Sequence, residues 1–302
     1  MITKIYYIII RLFLKKTFLL WQKLGFHITP NHYYQPIPDT RTLKDDLWQK
    51  KSELIGININ EEKQLNLLRF FYSKYKEEYS LFPKHKTAIP YQYYLDNHSF
   101  DSIDAEILYC IIRHFKPNTV LEVGSGFSTY LSAQAISKNK QENNNYQCEL
   151  IAIEPYPNNI LQKGFPNLSR VVPKKIQDVS LLEFEKLTEN DILFIDSSHV
   201  LKIESDVYYE YLEILPRLNK GVLVHFHDIF LPLNYPKHWI TKEYLFWNEQ
   251  YLLQAFLVFN SGFEVVWAGN YMDLNHHNEL EMSFGSYKTG EKLLGSFWIR
   301  KL

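Results

Sequence analysis

Thr119-Val120-Leu121-Glu122-Val123-Gly124-Ser125-Gly126-Phe127-Ser128-Thr129 reads as a short apolar strand, a turn with two glycines, and the start of a helix. Val120, Leu121 and Val123 suit a strand buried in a parallel sheet. Gly124 and Gly126 let the backbone fold tightly and face a ligand with no Cβ between. Ser128 or Thr129 is placed to cap a helix over residues 130–137. In doubly wound α/β folds, such a turn at the carboxyl end of a first strand is where a nucleotide-like ligand sits.

Spacing separates two ligand classes. A dinucleotide fingerprint wants a third glycine three residues after the second, and an acidic residue about 20 residues further on. The third position here is Thr129, and the next acidic strand end is Glu154, in Leu150-Ile151-Ala152-Ile153-Glu154-Pro155. A ligand without a pyrophosphate needs less close backbone approach, so E-x-G-x-G suits an adenosyl group better. The Glu154 carboxylate is then placed to accept from both ribose hydroxyls. Residues 138–146, rich in Asn and Gln, read as a surface loop.

Strand Glu122-Val123-Gly124-Ser125-Gly126, the strand-end Glu154 and a later Asp-x-x-His segment resemble class I S-adenosylmethionine-dependent methyltransferases. The chain resembles in particular the bacterial group of macrocin-type and other natural-product sugar O-methyltransferases, over residues 101–301. Asp191-Ile192-Leu193-Phe194-Ile195-Asp196-Ser197-Ser198-His199 and His225-Phe226-His227-Asp228-Ile229-Phe230 add to the match. The resemblance implies cofactor binding by Glu122, Gly124, Ser125, Gly126, Ser128, Thr129 and Glu154. Asp178 is placed to bond the adenine amino group, or else to cap a helix from Leu181 onward.

The remaining pattern alternates strand and helix, which predicts a mainly parallel, doubly wound, Rossmann-like sheet of seven strands. Strands are expected at 119–123, 149–153, 170–172, 192–195 and 222–226. Helices are expected at 101–114, capped by Asp101 or Ser102, and at 200–215. Residues 263–267 and 296–300 read as a closing hairpin with no helix between its strands, one of them antiparallel, as the resemblance implies. Three parts are expected: a basic amphipathic helix in 1–30, an extended and helical cap in 31–100, and the cofactor-binding domain in 101–302. His32, Tyr33 and Tyr34 in the cap suit a sugar ring, although aromatics beside proline often only pack.

The ends of the fourth and fifth strands carry Asp196, His227 and Asp228, which adjacent parallel strands bring together. Two carboxylates and an imidazole suit a divalent ion such as Mg²⁺ or Mn²⁺. The related sugar O-methyltransferases hold such an ion with acidic residues here, and this chain departs from them by offering His227. A sugar hydroxyl barely ionises at neutral pH, so either an ion must acidify it or a base must take its proton. His199, three residues past Asp196, is the candidate base. His225 reads as a core histidine, Glu204, Asp206 and Glu210 as a solvated helix face, the run 243–259 as packing, and His276-His277 as an exposed loop.

Composition narrows the class. The chain has 302 residues, 46% hydrophobic and 16% aromatic, enough to bury a substantial core. Its net charge of −1 argues against a nucleic-acid partner. Cys110 and Cys148 have no metal-site spacing, and Cys110 lies in an apolar run, so a cytoplasmic protein with reduced thiols is expected. Residues 5–21 are apolar but interrupted by Arg11, Lys15 and Lys16, which argues against a membrane span or a signal peptide. Lys4, Arg11 and Lys15 share a helical stripe. That suits a helix lying on the anionic inner face of a membrane through residues 1–24, or docked on a second copy in a homo-oligomer, or packed on its own domain. The function expected is methylation of a sugar or other hydroxylated small molecule or glycan. The alternatives are a non-catalytic binding module of the same fold, a nicotinamide-dependent oxidoreductase and, more remotely, a metal-dependent hydrolase.

Overall fold

The computed structural model describes residues 2–302, and the side chains of residues 8–302. Along the chain lie α1 (Ile2–Lys23), α2 (Glu61–Tyr79), α3 (Asp104–Phe115), β1 (Thr119–Val123), α4 (Phe127–Glu142), β2 (Glu149–Ile153), α5 (Asn159–Lys163), β3 (Leu168–Val172), α6 (Leu182–Glu185) and β4 (Ile192–Ile195). They are followed by α7 (Asp206–Tyr209), β5 (Leu223–Phe226), α8 (Lys237–Thr241), α9 (Glu249–Leu257), β6 (Phe263–Ala268), α10 (Gly269–Ser283) and β7 (Phe297–Lys301). The chain divides into two compact units, one made of residues up to Gln49 with Pro236–Phe246, the other of Lys50–Tyr235 with Trp247–Leu302.

The first unit holds α1 and α8. Asp39 accepts from the Arg41 backbone N–H at 3.1 Å and pairs with its guanidinium at 2.6 Å, closing a short turn over Thr40–Thr42. Lys237 reaches Asp45 at 2.6 Å, tying the unit's two stretches of chain. The rings of His32, Tyr33 and Tyr34 meet at tilted angles with centroids 4.2–5.2 Å apart, and both tyrosines are exposed.

The second unit is built on a seven-stranded Rossmann-like sheet in the order β3-β2-β1-β4-β5-β7-β6. β1 to β5 are parallel neighbours, and β7 runs antiparallel between β5 and β6. Side chains alternate between the two faces of each strand, so β1 sends Val120 to one core and Leu121 and Val123 to the other. The first core also takes Phe71 of α2, Ile107 and Ile111 of α3, and Leu131 of α4. α2 is therefore part of the layer that covers the sheet, although the sequence places it in a cap. Asp191 fastens β1 to β4, accepting from the backbone N–H groups of Asn118 and Thr119 at 2.9 and 2.8 Å.

Five expectations need correcting. β6 and β7 pair antiparallel as expected, but they are not joined without a helix, because α10 lies between them and bends where His276 leaves helical geometry. His276 accordingly sits on that helix, with Nε2 3.2 Å from a Glu61 carboxylate oxygen. The helix expected at 200–215 starts at Asp206, because His199 and Glu204 adopt φ of +59° and +56°. It then widens into a π-helical turn over Glu210–Ile214 that fully buries Glu210, which is thus no part of a solvated face. α3 starts at Asp104 without a side-chain cap: Ser102 bonds Ser286 at 2.7 Å, and Asp101 pairs with Lys292 at 2.9 Å. Cys110 and Cys148 are buried free thiols.

Candidate active site

Gly124 makes the first wall. Its φ is +76°, and a Cβ there would lie 1.9 Å from the Asp196 carbonyl oxygen, so only glycine lets the turn after β1 lie against the end of β4. Gly126 differs. Its backbone is extended, and a Cβ would meet no atom within 4 Å, so the space above it lies open rather than packed. Thr129 locks the turn by accepting from the Gly126 N–H at 3.0 Å. Ser128 donates to Glu122, whose carboxyl group is buried beneath the turn and pushed by that burial up to about 8. Glu122 shapes the turn from below.

A cleft of about 390 Å³ opens over these strand ends, lined among others by Gly124, Glu154, Ile176, Gln177, Asp196 and Ser197. Glu154, half-buried at the end of β2, accepts from the Tyr156 N–H at 2.8 Å with one oxygen. Asp178 is exposed and is not among the lining residues; Gln177 beside it is, donating to the Glu204 carbonyl at 2.9 Å. An adenosyl cofactor fits this place on three observations. The turn approaches closely at Gly124, the space above Gly126 is open, and Ser125 Oγ is buried with no partner among the described residues.

Asp196 borders the cleft and also begins a charged cluster. One oxygen lies 3.4 Å from His199 Nε2, which is 3.6 Å from an Asp228 oxygen. Ligand atoms of Asp196, His199 and Asp228 all fall within 4.8 Å of one another, a donor set that fits a divalent cation. The other ring nitrogen, Nδ1, is 2.9 Å from Glu249 Oε2, while Tyr211 donates to Glu249 Oε1 at 3.2 Å. Trp247 lies over the ring, centroids 4.4 Å apart. The backbone N–H groups of Asn248 and Glu249 both donate to the His199 carbonyl, at 3.1 and 3.2 Å. These clamps hold His199 in its left-handed conformation.

Burial alone would lower the His199 pKa, but bonds to Asp196 and Glu249 and their charges drive it well above the ordinary imidazole value. Burial works against Asp196 too, and is outweighed by His227 and His199, which leave its carboxyl below the usual range. Asp228 is raised by burial against the pull of the same two histidines. His227 is buried with Nε2 3.8 Å from Asp228 Oδ1, and its Nδ1 has no partner among the described residues. His225 bonds Ser296 at 2.9 Å and stacks on Phe194 at 4.0 Å, a core histidine held well below its usual pKa by burial.

The structure thus brings Gly124, Glu154 and Asp196 to one cleft, and gathers Asp196, His199 and Asp228 with His227 alongside. Asp178 is not among the residues lining that cleft, and His32, Tyr33 and Tyr34 lie in the other unit. Sequence reasoning missed Glu249, Trp247 and Glu210. Glu249 is 50 residues from His199 in sequence, and nothing local marks it beyond an acid at the start of an otherwise apolar helix.

Residues 121–229 match a family described as a methyltransferase domain. An uncharacterised protein of Archaeoglobus fulgidus is 33% identical over 180 residues, covering 57% of this chain and 78% of that protein. The chain belongs to the class I S-adenosylmethionine-dependent methyltransferases. Among solved structures, an O-methyltransferase of Bacillus cereus in complex with S-adenosylhomocysteine aligns with 78% of this chain and 90% of its own, at 12% identity and TM-score 0.38. The apo structure of CmcI-N160 aligns with 67% and 72%, at 12% identity and TM-score 0.36.

Proposed function

We propose that the chain transfers the methyl group of S-adenosylmethionine to a hydroxyl of a sugar or similarly hydroxylated small molecule. One observation carries this: Asp196 belongs both to the cofactor-sized cleft and to the Asp196–His199–Asp228 cluster. An amine acceptor would need no such apparatus, whereas a hydroxyl must lose a proton it holds tightly at neutral pH.

Glu154 and Gln177, with the backbone of Gly124 to Gly126, would hold the cofactor, which supplies an electrophilic methyl group when bound. Asp196, His199 and Asp228 would hold a divalent ion such as Mg²⁺ or Mn²⁺, which supplies Lewis acidity toward the hydroxyl. Glu249 fixes the His199 ring through Nδ1 and so presents Nε2 to the two aspartates, the usual support for a ligating imidazole. The same geometry favours a second reading, in which His199, oriented by Glu249 and deprotonated above its raised pKa, takes the hydroxyl proton itself. A ring nitrogen cannot do both.

Incubating the protein with methyl-labelled S-adenosylmethionine and a panel of sugar and polyol acceptors, with Mg²⁺, with Mn²⁺ or with a chelator, tests both readings. Label on a hydroxyl acceptor only when a cation is present supports the ligand role for His199. Transfer undiminished by the chelator assigns His199 as the base. Transfer only to amine or thiol acceptors overturns the proposal.

A further inference from the structure

The described side chains of α1, residues 8–23, include none that is buried. Ile9, Phe13 and Leu20 expose 59%, 57% and 55% of their surface, and Leu19 exposes 68%. At 100° per residue, Ile9, Ile10, Phe13, Leu14, Leu20 and Trp21 share one arc of somewhat less than half the circumference, with no charge among them. Arg11, Lys15, Lys16 and Lys23 occupy the rest, with Ile8, Leu12 and Leu19 between them. A helix this apolar and this exposed is not a stable surface in water.

Charge decides what covers it. Residues 1–38 carry five lysines and arginines and no acid, while the whole chain has a net charge of −1. Positive charge is therefore concentrated on this segment and the remainder is net negative. Two copies meeting through α1 about a two-fold axis would set these cations against one another. An anionic lipid surface instead takes the apolar arc into its acyl boundary and pairs the cations with headgroup phosphates. No helix among the described residues is long and apolar enough to cross a membrane, which leaves the in-plane geometry.

We infer that α1 is an interfacial anchor that lays its Ile9–Phe13–Leu20 arc into an anionic phospholipid surface. This concerns a surface outside the cleft and stands independently of the proposed reaction. The test is flotation of the full chain with phosphatidylcholine vesicles, with and without about one-third phosphatidylglycerol. The variants are Arg11→Gln/Lys15→Gln/Lys16→Gln and Ile9→Ser/Phe13→Ser/Leu20→Ser, with thermal melts as the folding control. The protein should float only with the anionic vesicles and be released by high salt. The Gln variant should bind on the order of 100-fold more weakly, and the Ser variant should not float. Equal binding to pure phosphatidylcholine, or no flotation of cooperatively melting wild-type protein, overturns the inference. So does unchanged binding in both variants, or a Ser variant that passes from dimer to monomer while wild-type protein never floats.

Discussion

Where β1 and β2 end, the cleft is lined by a left-handed glycine and the Glu154 carboxylate, with the open, extended Gly126 further along the same turn. Where β4 and β5 end, charge gathers beside the cleft. Asp196, Asp228, His199, His227 and Glu249 crowd together, most of them buried. Shape does the work on one side and ionisation on the other, and Asp196 belongs to both. Changes on the two sides should therefore separate binding of the adenosyl cofactor from turnover.

Gly124→Val gives the largest expected effect, because the added Cβ meets the Asp196 carbonyl and the positive φ is strained for a branched side chain. Stability should fall by at least about 2 kcal/mol, and S-adenosylhomocysteine affinity should drop roughly 100-fold or more, a loss of about 3 kcal/mol. Denaturant melts and calorimetry read the two. A variant that binds normally would show that the turn does not touch the cofactor.

Glu249→Gln acts on the charged side alone. It keeps the shape but weakens the hold on His199 Nδ1, so methyl transfer should fall roughly 10–100-fold. Its pH profile should shift to lower pH as the imidazole loses its nearest carboxylate, with cofactor affinity within about threefold of wild type. An equal loss in both would erase the distinction between the halves.

The smallest effect is on stability against pH. Burial raises Asp104 to about 6, Glu106 to about 7 and Glu122 to about 8. Each binds its proton more tightly folded than unfolded, so its contribution is complete below the ordinary carboxyl range and is lost as pH rises through these values. The melting temperature should fall between about pH 4 and about pH 8, and Glu122→Gln should reduce that fall by roughly 2–4 °C. A melting temperature that rises over the same range would mean that these groups ionise without cost.

The same contrast explains what could be read in the sequence. The strand and glycine-turn side is local: apolar runs bounded by Gly and Pro place all seven strands within two residues of where they lie. The charged side is assembled across distance. Asp196 and Asp228 could be paired because they end adjacent strands, but the Glu249 contact to His199 depends on how α9 packs. Glu210 reads as one more exposed acid until a π-helical turn rotates it inward. α10 escaped notice for a different reason, since Asn275-His276-His277-Asn278 has the composition of a loop and breaks the periodicity at its kink.

The most direct test of a methyltransferase with separate cofactor and chemical sides is calorimetric titration of S-adenosylhomocysteine into wild-type, Glu154→Ala and Asp228→Asn proteins. Micromolar binding is expected for wild type, at least about tenfold weaker binding for Glu154→Ala, and unchanged binding for Asp228→Asn. Absence of binding by a cooperatively folded wild-type protein, or binding that Glu154→Ala leaves intact, would contradict the account.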